Sequence, residues 1–530
     1  MKKLFALLFL IQSASGFSQR NIDVLHYRFH IAVNDNNDSI HGVAIIKFIA
    51  QEKKTSLELD LTGIKKGGKG MLVTVAGYRN NTPATEQFKQ QDDKLVVPCR
   101  LNKGDTAELV INYKGIPADG LIISKNKYGH RTFFSDNWPN RAHNWIPCND
   151  DPADKATVEF MVVAPSHYQV ISNGLQIEES TVDNNNKETH WKEEVPLPTK
   201  VMVIGVADFA VNNIGNVDCI PVSSWVFPEN RTEGFYDYAQ AKEILSWYIN
   251  YIGPYAYKKL ANVQSKTIFG GMENASAIFY FENSVTGKRQ EEALIAHELV
   301  HQWFGNHATE KSFAHLWLSE GFATYLTHVY IESKYGTDSL NKRMQREREE
   351  ILDFVKNSHR PVVDSTKDYM QLLNTNSYQK GGWILHMLRR ELGDSVFKKS
   401  IRQYYAAYAG KNAETSDLQK VFETVAGKKL DAFFSQWLFT PVNPNLHISW
   451  EYLTKEKKIS IQTKQVQSGT TFTLPLDIEI SLSGNKKITV HLDIRSAEQT
   501  FTFAVPEKPV ALKPDPQTSL LFEGTVTALK

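Results

Sequence analysis

Between about residues 21 and 212, apolar and polar positions alternate in short runs broken by turn residues. Tyr27, Phe29, Ile31 and Val33 form one such face. Asn34-Asp35-Asn36-Asn37-Asp38 closes it, and alternation resumes over 43–49. A period of two with turns at this spacing predicts strands arranged as a β-sandwich or saddle. Near Tyr236 the period lengthens. Ala241, Ile244, Leu245 and Tyr248 fall three and four apart, and helical patterning continues to about Leu438. The Pro-rich segment Thr440-Pro441-Val442-Asn443-Pro444-Asn445 ends it. Strands are then expected at 446–450, 459–462, 472–480, 488–494 and 500–505. The pattern predicts a multidomain α+β chain: an N-terminal β-sandwich or saddle domain over 19–212, a mainly helical domain over 213–440, and a small C-terminal β-sandwich over 441–530.

The first eighteen residues stand apart. Lys2 and Lys3 precede an unbroken apolar run over 4–11, and the small residues Ala14, Ser15 and Gly16 follow. This is the layout of a secretory signal peptide, so residues 1–18 are expected to be removed on export, to a periplasm or to the medium. The run is too short to span a bilayer, and no later stretch reaches eighteen apolar residues, so no membrane span is expected in the mature chain.

The 530 residues suggest three or four folded units. With 42% hydrophobic and 22% charged residues, the chain can bury a large core. A formal charge of +1 gives no broad basic footprint, so nucleic acid is not an expected partner. Removing Lys2 and Lys3 shifts that charge by two, to −1. Three cysteines, Cys99, Cys148 and Cys219, are too few for a disulfide scaffold. They allow one disulfide or buried thiols, and the sequence does not choose between them. The glycine-rich Lys65-Lys66-Gly67-Gly68-Lys69-Gly70 lacks the order of a phosphate-binding loop and is expected to be an exposed hairpin loop. The mixed-charge run 342–350 is expected to be a solvated helix face.

Chemistry concentrates in Glu291-Glu292-Ala293-Leu294-Ile295-Ala296-His297-Glu298-Leu299-Val300-His301-Gln302-Trp303-Phe304-Gly305. Acids lead, apolar residues recur at helical spacing, and Gly305 is placed to cap. His297 and His301 lie one turn apart on one helix face, so both imidazoles can reach one ion, for which zinc is suited. Glu298 is rotated off that face and can touch a metal-bound water as a general base. Eighteen residues later, Trp317-Leu318-Ser319-Glu320-Gly321-Phe322 reads as a second helix with Ser312 as its N-cap. Glu320 can then complete a two-His, one-Glu set that leaves a fourth position open for water, as catalytic zinc requires.

These residues resemble the gluzincin zinc peptidases. Upstream, Gly270-Gly271-Met272-Glu273-Asn274 matches the Gly-x-Met-Glu-Asn signature of the aminopeptidase N family. Downstream, Tyr378-Gln379-Lys380-Gly381-Gly382-Trp383 resembles the segment that carries that family's catalytic tyrosine. Pro147-Cys148-Asn149-Asp150-Asp151-Pro152 matches the end of the family's N-terminal domain pattern. The resemblance implies a thermolysin-like catalytic domain and one Zn2+ per chain held by His297, His301 and Glu320. It further implies Glu298 as general base and Tyr378 as hydrogen-bond donor to the oxyanion. Glu273 is expected to pair with the free amine of a peptide substrate. The surrounding Gly270, Gly271, Met272 and Asn274 are expected at the substrate, Met272 and Asn274 chiefly by shaping the loop.

Two departures matter. Ser319 stands where many relatives have Asn. The stretch 133–139, where relatives place a residue of the first specificity pocket, offers Asp136 for basic or Trp138 for apolar side chains. Relatives commonly continue into a large helical C-terminal domain, whereas this sequence ends about ninety residues after the Pro-rich hinge, in expected strands. Three domains and a more open cleft are therefore expected. The leading functional expectation is an exported zinc aminopeptidase acting on peptides with a free N-terminus. A thermolysin-like endopeptidase and a catalytically silent peptide-binding relative are the alternatives, and an N-acetylated peptide separates the first two.

Overall fold

The structure, a computed structural model, describes residues 22–79 and 87–529. The expected leader over 1–18 lies outside the described residues. The alternation at the start of the chain becomes the centre of a seven-stranded sheet. Its order is Leu175–Thr181, Asn186–Leu197, Ala156–Pro165, Ile22–Ala32, Ile40–Ala50, Thr106–Ile116 and Gly70–Tyr78. Val24, Tyr27, Phe29 and Ile31 all face inward because the register shifts by one residue between Val24 and His26. Such a bulge restores the inward phase that a simple period of two would lose. Leu57, Leu59, Leu95 and Val97 from a three-stranded sheet complete this core. The glycine-rich loop is exposed, with Gly67 and Gly68 at positive φ, but it is not the expected hairpin: the strand before it, Lys54–Asp60, pairs with Lys94–Leu101 and the strand after it, Gly70–Tyr78, with Thr106–Ile116, so it links two sheets.

A four-stranded sheet follows, ordered Gln169–Ser172, Ile204–Ala207, Arg131–Ser135 and Leu121–Lys125. Beyond it stands the sheet that positions the site: Ala210–Val217, Ile220–Val226, Leu260–Ser265, Ala277–Phe281 and, at the edge, Gly271–Met272. The middle three strands are parallel and the edge strand antiparallel. The strand through residue 212 thus pairs into this sheet, which starts slightly before position 213. Helices α1 (Arg231–Tyr238) and α2 (Gln240–Tyr251) cross over it. After α3 (Glu292–Val300) the chain is nearly all helical: α4 (Trp317–Tyr335), α5 (Thr337–Phe354), α6 (Gly381–Leu392), α7 (Asp394–Tyr408), α8 (Thr415–Ala426) and α9 (Asp431–Leu438).

After Pro444, strands Asn445–Leu453, Lys458–Gln465, Glu498–Ala504 and Glu523–Ala528 form one sheet, and Leu474–Ser481, Lys487–Ile494 and Ala511–Pro514 a second. Ile448, Ile459 and Ile461 from the first and Leu476, Ile478 and Leu492 from the second are buried as a sandwich core. Asp515, paired with Arg348 of α5, and the Thr518 carbonyl, 2.8 Å from His386 Nε2 of α6, fasten this sandwich to the helices. Cys99, Cys148 and Cys219 are free, Cys148 fully buried and Cys219 exposed. Among the described residues, no helix is long and apolar enough to cross a membrane.

Candidate metal centre and active site

Ile295, Ala296, Leu299 and Val300 drive α3 into the core, which turns its His297 face toward a cavity of about 440 Å³. The helix ends at Val300, earlier than the glycine suggested. Trp303, buried, anchors the following turns through Nε1 to the Gly253 and Pro254 carbonyls. Gly305 sits at φ +118°, and a Cβ there would come within 2.3 Å of Ser319 Oγ. α4 starts at Trp317 after a short 3₁₀ turn from Phe313 to His315. Ser312 precedes that turn and caps nothing with its side chain, because the chain enters α4 already helical at Leu316.

Glu320, in the first turn of α4, meets the two histidines. Its Oε2 lies 3.4 Å from His297 Nε2 and 3.3 Å from His301 Nε2, and the two nitrogens are 3.2 Å apart. An ion bound tetrahedrally at about 2.0–2.1 Å has donor atoms roughly 3.3–3.4 Å apart, so this triangle has zinc-sized edges. The three residues form a group that could hold a metal ion. The electrostatics favour a cation between them. Burial opposes charge on His301, yet Glu320 outweighs it and holds its pKa up to about 10, while Glu320 falls well below the usual carboxylate range. Ser319 Oγ lies 3.0 Å from His301 Nδ1, and the Phe304 carbonyl 3.2 Å from the same atom. Those contacts fix the ring so that Nε2 faces the site. The Ser at the position where relatives carry Asn therefore still orients the imidazole.

The edge strand runs beside α3. A Cβ on Gly271 would strike Glu298 Oε1 at 2.3 Å, so only glycine lets the strand approach the general-base candidate this closely. Two residues on, the Glu273 carbonyl accepts from Gln302 Nε2 at 2.8 Å and Asn306 Nδ2 at 2.6 Å. Neither clamp was anticipated from the sequence, although both follow the histidine motif at helical spacing. Glu273 is buried and lines the cavity, and its Oε1 has no hydrogen-bond partner among the described residues. Gly270 and Met272 also line the cavity, whereas Asn274 is buried and does not.

Tyr378 lies in a π-helical turn, Asn376–Lys380, that leads into α6, a geometry enriched at functional sites. Its ring stacks on His297 with centroids 6.1 Å apart. Burial, then the charges of Glu320, Glu273 and Glu298, raise its pKa well above the usual value, so it stays a donor. Burial also raises Glu298 well above the carboxylate range, Glu273 and Glu320 adding to the effect.

The first-pocket alternatives separate in the structure. Asp136 is fully buried and satisfied by Arg141 at 2.5 Å, Thr267 Oγ1 at 2.9 Å and the Ile268 amide at 3.0 Å, so it does not face a substrate. Trp138 lines the cavity, edge-on to Phe269. Thr324, His328, Arg343 and Glu347 line the same cavity, and the sequence pattern did not single them out. Thr324 and His328 follow Glu320 by four and eight residues, a visible helical signal.

A mixed sheet whose edge strand lies along a His-Glu-x-x-His helix, with a third carboxylate from the next helix, defines a metallopeptidase fold. Residues 24–201 match the Peptidase M1 N-terminal domain and residues 236–437 the Peptidase family M1 domain. The chain belongs to peptidase family M1, with the architecture of its aminopeptidases. It is 29% identical over 432 residues to probable aminopeptidase 2 of Sulfurisphaera tokodaii, covering 77% of this chain and 53% of that protein. It is 28% identical over 407 residues to a leucyl aminopeptidase of Saccharolobus solfataricus, covering 73% and 49%. Aminopeptidase A of Legionella pneumophila, solved with aspartic acid, superposes with a TM-score of 0.82 over 96% of this chain and 60% of that one, at 16% identity. The chain spans about half the length of the curated relatives it matches.

Proposed function

We propose that this protein is an exported zinc aminopeptidase that removes the first residue of peptides, with apolar and aromatic first residues preferred. The observation that carries this reading is Glu273. A carboxylate oxygen that is buried and unpartnered costs several kcal/mol unless a cation meets it. A peptide's α-ammonium group, entering the cavity, is that cation, and it sets the scissile bond one residue away, beside His297, His301 and Glu320. Trp138, Phe269 and Met272 supply the apolar wall for the first side chain.

His297, His301 and Glu320 would hold the zinc. What zinc supplies, when bound there, is Lewis-acid polarisation of the scissile carbonyl and a water of lowered pKa. Glu298 takes the proton from the attacking water and returns it to the departing amine. Tyr378 donates its hydroxyl hydrogen to the oxygen on which negative charge develops. Glu273 holds the amine through both events and adds orientation. The free-amine requirement distinguishes this from endopeptidase activity, which has no use for a buried acid at that point.

The test is metal dependence with a residue-level control. Chelation should abolish hydrolysis of leucyl-coumarin, and one equivalent of zinc should restore it. Glu298→Gln should bind zinc at the wild-type ratio, yet lose about 10³-fold or more in kcat. Full turnover after chelation, or an active Glu298→Gln enzyme, would place the chemistry elsewhere.

A further inference from the structure

The direction of a bound peptide can be read from the edge strand. Gly270 lies over Leu294, Gly271 over Glu298, and the Glu273 carbonyl meets Gln302, so the strand runs parallel to α3 and Glu273 stands at the end of the site beyond the C-terminus of that helix. A substrate held by its amine at Glu273 and cleaved beside His297 must therefore leave toward the N-terminal end of α3, where Ala293 and Leu294 line the cavity. That end opens into a second depression. Ala293 and Arg343 belong to both, and the second is lined also by Arg289, Lys342 and Arg346. Its acid, Glu292, is occupied by Tyr330, Tyr335 and Lys334.

Arg343 is the pivot. Among the described residues no carboxylate lies within ion-pair distance of it, and half-burial makes its charge more demanding than that of a surface arginine. Glu347, one turn along α5, meets His328 Nε2 through Oε1 at 2.6 Å, and its Oε2 has no hydrogen-bond partner among the described residues; its charge and that of Glu292 act on Arg343 without an ion pair. At the rim, Arg289 stacks on Tyr236 and Arg346 pairs with Glu350 at 3.4 Å.

We propose that Arg343, with the basic depression it opens into, binds a carboxylate carried by the substrate downstream of the scissile bond. This rests on the aminopeptidase reading above and deepens it. The carboxylate has two sources: the C-terminus of a di- or tripeptide, or an acidic side chain at the second or third position of a longer peptide. A guanidinium suits either, since its fork matches a carboxylate with two parallel hydrogen bonds.

The experiment compares wild type, Arg343→Gln and the rim double variant Lys342→Gln/Arg346→Gln on four peptides and on leucyl-coumarin. Leu-Gly-Gly with a free or amidated C-terminus tests the first source. C-amidated Leu-Glu-Gly-Gly-Gly against its Leu-Gln counterpart tests the second. Wild type should favour the anionic member of at least one pair by about tenfold or more in kcat/KM, mostly through KM. Arg343→Gln should shrink that preference to about twofold or less, while leucyl-coumarin turnover holds within about twofold. The rim variant should weaken it partly, and added salt should erode it. Equal turnover within both pairs, or a preference that survives Arg343→Gln, overturns the proposal. Absence of leucine release from every substrate would instead overturn the aminopeptidase reading.

Discussion

The donor role proposed for Tyr378 requires a protonated phenol, and its surroundings favour one. Burial disfavours a phenolate there, and the carboxylates Glu320, Glu273 and Glu298 disfavour it further. Tyr378→Phe removes the hydroxyl and keeps the ring that stacks on His297. Such a loss typically costs about 10²–10³ in rate. Steady-state kinetics should show it in kcat, with KM and zinc content near wild type; a fall of less than about fivefold would mean another donor serves the oxyanion. Single residues also mark the limits of the sequence. His297, His301 and Glu320 were legible because a helix converts spacing into geometry. Asp136 and Trp138 were not separable, since only the fold shows Arg141 and Thr267 closing on the aspartate.

At the scale of elements, the site depends on how closely α4 and α6 approach. A Cβ on Gly321 would lie 2.9 Å from the Gly381 carbonyl carbon, backbone that cannot swing aside. Gly321 follows the third ligand, and Gly381 follows the turn that bears Tyr378. Gly321→Ala should therefore separate Glu320 from Tyr378 and destabilise the protein by about 1–3 kcal/mol. A urea titration measures the stability loss. An unshifted midpoint together with normal kcat would show that the helices can part without consequence. Elements also explain what patterning missed. The charged run in α5 was read as wholly solvated, yet Met344 and Glu347 are buried and Arg343 reaches the cavity. Mixed charges at helical spacing give no phase, and the partner that buries Glu347, His328, sits on another helix. Ser312 likewise had cap chemistry, but a 3₁₀ entry left α4 with no end to cap.

Across the whole molecule, the helical region is gripped from both sides. Buried Lys200 pairs with Glu310 on the N-terminal side, and on the C-terminal side His386 ties α6 to the sandwich. His386 donates from Nε2 to the Thr518 carbonyl, and its Nδ1 lies 3.0 Å from the Tyr325 hydroxyl, from which a neutral ring can accept. Burial pushes its pKa down to about 3, whereas an unfolded histidine titrates near 6.5. Between those values the unfolded chain carries a proton that the folded chain refuses. Stability is therefore complete above about pH 6.5 and falls as the pH drops toward 3, by up to about 1.4 kcal/mol per pH unit. Urea midpoints from pH 7.5 to 4.5 should follow that slope, and His386→Gln should flatten it by about one proton. A slope unchanged in the variant would assign the acid sensitivity to other groups.

The β–helix–β order was legible because two periodicities alternate along the chain, while the bulge after Val24 and the pairing of Ala210–Val217 into the central sheet depend on partners distant in sequence. Glu273 after the edge strand, His297, Glu298 and His301 along and just after α3, Glu320 of α4 and Tyr378 before α6 meet in one cavity. In the proposed function this cavity reads a free amine and cleaves the peptide bond one residue beyond it. Mass spectrometry of an apolar decapeptide, free or N-acetylated, incubated with the zinc-loaded enzyme tests it most directly. The account predicts a ladder of products shortened one residue at a time from the free peptide, and no cleavage of the acetylated one. Internal fragments, or equal cleavage of both peptides, would contradict it.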